Sequence, residues 1–89
     1  MISGAPGPLT ALQRRILDKA GAFVIQHGRA PSYREMADVL GYMQHSTVQH
    51  HMGSLRRLGW VRWTPGRSQT LEFFHPDGTW HPTPPPKVK

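Results

Sequence analysis

Four neighbouring side chains, Ser46, Thr47, Gln49 and His50, carry hydrogen-bonding groups on short stems within five residues. Such groups suit the polar edges of nucleic-acid bases. An amide can pair bidentately with adenine, and a hydroxyl can bond to either kind of edge or touch a thymine methyl. Around them lies a stretch of one sign. No Asp or Glu occurs between Asp38 and Glu72, while Arg56, Arg57, Arg62 and Arg67 fall inside that interval together with His45, His50 and His51. Guanidinium groups neutralise phosphates and release counterions, which gives affinity without sequence information. A solvated basic face is the plainer explanation of the same run. The histidines also raise the question of a metal. Adjacent residues on a helix point about 100° apart, so His50 and His51 do not converge, and zinc sites usually want three or four convergent ligands. No metal and no cofactor is therefore expected.

Composition bounds the rest. The chain has 89 residues, 11 Lys and Arg against 5 Asp and Glu, a net charge of +6 and no Cys. One modest domain is the size class. Lack of Cys excludes disulfides and thiolate metal sites. No apolar run approaches the roughly 20 residues that cross a bilayer. Residues 1–8 lack the basic and apolar regions of a secretion signal. These features lead to the expectation of a cytoplasmic protein. No Ser–His–Asp set, paired carboxylates or phosphate loop is found, so an enzyme is not expected.

The elements that must position these groups follow from periodicity. Leu12, Ile16, Leu17, Ala20, Phe23 and Val24 share one helix face, with Thr10 as N-cap and Gly28 as stop. Ser32 and Glu35 form an S-x-x-E capping box that opens a short second helix, with Met36, Ala37 and Leu40 inward and Gly41 as stop. After a link, Tyr42 to His45, a third helix is predicted over 46–58. Ser46 and Gln49 read as its capping box, and Val48, Met52 and Leu55 as its buried stripe. Thr47, His50, Ser54 and Arg57 then face outward, and His51 flanks the stripe.

Next, residues 60–64 alternate, Pro65-Gly66 marks a turn, and Thr70 to Phe74 forms a second strand, which makes a hairpin. The fold class is thus mainly α with a small β-hairpin. Two short helices, a tight link and a following hairpin are the parts of a three-helix winged helix-turn-helix. Residues 1–8 are expected as a flexible arm, 9–74 as the folded unit and 75–89 as a Pro-rich flexible tail, with Pro84 to Pro86 favouring polyproline II.

The stretches LTALQRRILD, GRAPSYREMADVLGY and HSTVQHHMGSLRRLGW, and a wing with Arg67 before an apolar strand, carry a further likeness. From Leu9 to Phe74 the chain resembles the N-terminal DNA-binding domain of LexA-type repressors. That resemblance implies a transcriptional regulator of the repressor kind that binds double-stranded DNA. It also implies a prokaryotic or phage source and association with the nucleoid. It places Ser46, Thr47, Gln49 and His50 at base-reading positions. Backbone contacts are expected from Ser32, Tyr33, Arg34, Gln44, Ser54, Arg56, Arg57, Arg62 and Arg67. Arg62 has an alternative, an exposed cross-hairpin pair with Glu72. LexA-type repressors continue into a domain that dimerises and cleaves its own linker. The chain ends after the Pro-rich stretch, so a stand-alone domain without self-cleavage is the expectation. A small domain makes few base contacts, and a homodimer on a palindromic site is one expected arrangement. Neither membrane nor small-molecule effector is called for. The alternatives are a winged-helix protein–protein adaptor and a non-specific DNA-binding accessory protein.

Overall fold

A computed structural model describes residues 7–41, 44–64 and 67–85, with backbone alone at 67–69. The elements run α1 (Ala11–His27), α2 (Tyr33–Leu40), α3 (His45–Leu58), β1 (Val61–Thr64), β2 (Arg67–Phe74) and β3 (Trp80–His81). This is the mainly α winged helix-turn-helix that the periodicity predicts.

Helix starts follow local chemistry. Thr10 caps α1 by accepting the Gln13 N–H at 3.1 Å, and the Gln13 side chain returns a bond to the Thr10 N–H at 2.9 Å. Ser32 and Glu35 do the same for α2, at 3.0 and 2.9 Å. The third start differs from expectation. α3 begins at His45, one residue early, and its N-cap Gln44 makes no side-chain capping bond. Ser46 therefore lies inside the first turn rather than before it, so the predicted Ser46–Gln49 capping box is corrected. What fixes α3 is its stripe: Val48, Met52 and Leu55 are all buried, and this burial holds whichever residue opens the helix. All three helices stop at a glycine in the left-handed region, Gly28, Gly41 and Gly59. A side chain is strained there and Gly is not.

Buried residues of α1 (Ile16, Ala20, Val24), α2 (Met36, Leu40) and the α3 stripe meet Val61, Leu71 and Phe73 of the sheet in one core. A two-stranded hairpin is marginal alone in water, and this packing is what it leans on. β1 and β2 are antiparallel, with Val61 opposite Phe73, Arg62 opposite Glu72 and Thr64 opposite Arg67, and an irregularity between Arg62 and Thr64. Thus β2 starts at Arg67, three residues before the predicted Thr70. The predicted Pro65-Gly66 turn lies outside the described residues.

Described residues on either side of the expected 9–74 unit bond to it. Met1 to Pro6 of the expected arm lie outside the described residues, but Gly7 is tied to the end of α3. Its N–H donates to the Leu58 carbonyl at 2.9 Å, and its carbonyl accepts the Trp60 indole N–H at 2.8 Å. At the other end, a third strand forms inside the stretch read as tail. β3 pairs antiparallel with β2, Phe73 opposite His81 and Phe74 opposite Trp80. Pro82 and its neighbours bar a longer strand, and two residues at a sheet edge is what such a sequence permits. The folded unit therefore runs past Phe74. Pro86 to Lys89 lie outside the described residues.

Candidate nucleic-acid interface

The first two turns of α3 separate two faces sharply. Val48 is fully buried, while Ser46, Thr47, Gln49 and His50 around it are all exposed. A helix whose inner stripe is locked in a core presents its outer side chains from a fixed backbone. His51 is half-buried beside the stripe, as its position on the helix predicts, and its ring meets that of His50 edge-on at 5.5 Å. Further along, the Ser54 hydroxyl donates to the His50 carbonyl at 3.3 Å and accepts from Arg57 at 3.0 Å. Arg57 is thereby held against the outer face of the helix.

The expected backbone-contacting residues fall into separate groups. Arg56 stacks on the Trp63 ring, 4.8 Å from its centroid, which links α3 to the wing. Arg62 bonds Glu72 through Nε at 2.7 Å and lies 4.6 Å over the Trp80 ring. Arg56, Arg62 and Trp63 line one cleft between α3 and the sheet, with Pro82 among its walls. Arg62 thus has the cross-hairpin partner that was its alternative role. At the start of α2, Arg34 and Ser32 are exposed and Tyr33 is half-buried against the core, with the Ser32 hydroxyl engaged in its cap. Gln44 is exposed at the N-cap of α3. Arg67 opens β2, and its side chain lies outside the described residues.

Three functional neighbours escaped the sequence reading. Arg29 forms a bidentate pair with Glu35, at 2.7 and 2.8 Å, while the same carboxylate caps α2. Its signal was a lone basic residue six positions before the capping Glu. The face of Trp63 carries Arg56, a contact that the alternation of residues 60–64 does not indicate. Trp80 lies in the Pro-rich stretch expected as a flexible tail, and its ring carries Arg62.

Among the described residues, no group of His, Asp or Glu is placed to hold a metal ion, and no helix is long and apolar enough to cross a membrane. The stretch from Gln44 to Thr64 itself holds no Asp or Glu, and Glu72 of β2 pairs with Arg62 from outside it.

Comparison with known proteins agrees with this geometry. The family model described as LexA DNA binding domain matches residues 7–70. A LexA repressor of Arthrobacter sp. (strain FB24) is 35% identical over 71 residues, covering 80% of this chain and 28% of the relative. One from Mycobacterium sp. (strain KMS) is 38% identical over 69 residues, covering 78% and 30%. The transcription regulator LexA of Synechocystis sp. (strain ATCC 27184 / PCC 6803 / Kazusa) is 31% identical over 68 residues, covering 76% and 34%. The chain spans about a third of the length of these curated relatives. With the match running from Gly7 through all three helices and into β2, the chain belongs to the LexA DNA-binding-domain family.

Proposed function

We propose that this protein is a sequence-specific, double-stranded-DNA-binding transcriptional repressor that acts by covering promoter DNA. One observation carries the reading: α3 exposes four hydrogen-bonding side chains in its first two turns, on a stretch without acids, while its opposite stripe is locked in the core. In helix-turn-helix proteins the N-terminal residues of the second helix reach base edges in the major groove. Ser46, Thr47, Gln49 and His50 are the readers in this account. The α2 start (Ser32, Tyr33, Arg34), Gln44, Ser54, Arg56, Arg57 and the wing arginines Arg62 and Arg67 hold the phosphates. Arg62 shares its guanidinium with Glu72 and so contributes less than the others. A homodimer would give the domain two half-sites, and the setting is the nucleoid of a prokaryote or phage.

Selection of bound duplexes from a random pool tests the proposal. A recurring sequence, with affinity that falls steeply with salt, is expected, and two inverted half-sites would reveal the dimer. Recovery of unenriched sequence would leave a non-specific DNA-binding protein. Absence of duplex binding at low salt would favour the protein–protein adaptor.

A further inference from the structure

We infer that residues 75–85 brace the wing, and that Trp80 is the positioning residue through which the brace acts. The segment lies beyond the stretch matched to the family, which ends at residue 70. Its first attachment is the β3 strand, which pairs with the C-terminal end of β2. The second is the Trp80 ring. It packs edge-on against Phe74 at 5.5 Å and carries Arg62 on its face at 4.6 Å, while Arg62 reaches across the hairpin to Glu72 at 2.7 Å. An exposed ion pair alone holds a hairpin weakly. Stacked on an indole, the Arg62 guanidinium is confined from a second side.

The far end of the segment is seated on α1. A Cβ placed at Gly21 would lie 2.9 Å from Cβ and Cγ of Pro84, closer than real contacts allow. Glycine inside a helix is unfavourable, and here it makes room for the proline. Within residues 75–83 the segment is cross-tied. One His75 ring nitrogen, Nε2, lies 2.8 Å from the Thr83 carbonyl oxygen. The Asp77 carboxylate accepts from the Thr79 N–H and hydroxyl, and that hydroxyl lies 2.8 Å from His81 Nε2. The wing is therefore fixed to α1 through residues 80–84, and to α3 through Arg56 on Trp63. Its angle to the reading helix follows from both.

The consequence for DNA rests on the reading of the wing as a phosphate grip. With Trp80 in place, the wing is held where its basic groups meet the backbone while α3 is in the groove. Two readouts on the full chain separate the brace from that reading, using Trp80→Ala, Trp80→Phe and the parent. By amide exchange, Trp80→Ala should raise rates over residues 67–74 by about tenfold, with α2 and α3 amides unchanged. On duplexes, it should lower the salt slope by about one while keeping the preference for a selected site over random DNA. Trp80→Phe, which keeps an aromatic face, should recover both. Unchanged wing exchange in Trp80→Ala, or a rise spread evenly over all helices, would overturn the brace. Were the parent not to bind duplex DNA, the wing's function would fall, and the exchange pattern alone would decide the brace.

Discussion

Glu35 binds two partners with one carboxylate. Arg29 donates to both oxygens, and the Ser32 N–H donates to one of them. The Arg29 hydrogen bonds, with the Ser32 backbone bond second, lower its pKa from the ordinary 4.5 to about 2. A depressed carboxylate stabilises the fold above its unfolded value and loses that contribution as pH falls toward its folded one. Thermal melts should therefore show Tm falling from about pH 4.5 down to about 2. Glu35→Gln should flatten that part of the profile. An unchanged profile in the variant would mean that other carboxylates govern acid stability. Arg29 was not legible as a partner, because a six-residue separation across the turn between helices has no periodic signature.

Two helical glycines invite the same substitution with opposite outcomes. A Cβ at Gly53 in α3 would meet only the tip of Arg57, at 3.7 Å, an ordinary contact. Gly53→Ala should therefore recover helix propensity of about 1 kcal/mol and raise Tm by roughly 4–8 °C. Gly21→Ala in α1 offers the same propensity but drives a methyl into Pro84. It should fail to raise Tm and should speed amide exchange at Thr83, the residue before Pro84. A third change concerns the uncapped start of α3. Gln44→Ser supplies the missing cap and should add about 1 kcal/mol of stability in denaturant titrations. These elements also mark what could be read beforehand. Caps and stripes of α1 and α2 were legible because the local pattern and the burial agree. The S-x-x-Q motif of α3 matched a local rule that the packed stripe overrode. β3 was hidden because five prolines among the last fifteen residues read as loose chain. What orders the strand is an aromatic stack and an edge pairing, neither of which is periodic.

For the whole molecule, a single core carries the fold and the presentation of α3. Phe73 is among the largest fully buried side chains, on the central strand between β1 and β3. Phe73→Ala should cost about 3–5 kcal/mol and lower Tm by roughly 12 °C or more, with loss of DNA binding only where the protein unfolds. The exposed face of α3 was legible residue by residue, since a buried stripe at i, i+4 and i+7 dictates what lies opposite. The partners of the arginines were less so, because stacking on Trp63 and Trp80 depends on how helix and sheet meet. In the proposed function, α3 reads and the wing grips. Binding curves on a preferred and a random duplex at several salt concentrations test it most directly, with Gln49→Ala, His50→Ala and Arg67→Ala beside the parent. Gln49→Ala and His50→Ala should each weaken the preferred site by about 1–3 kcal/mol and leave random DNA nearly unchanged. Arg67→Ala should weaken both duplexes alike and reduce the salt slope by about one. If Gln49→Ala and His50→Ala leave the preference intact, α3 is not the reader and the claim fails.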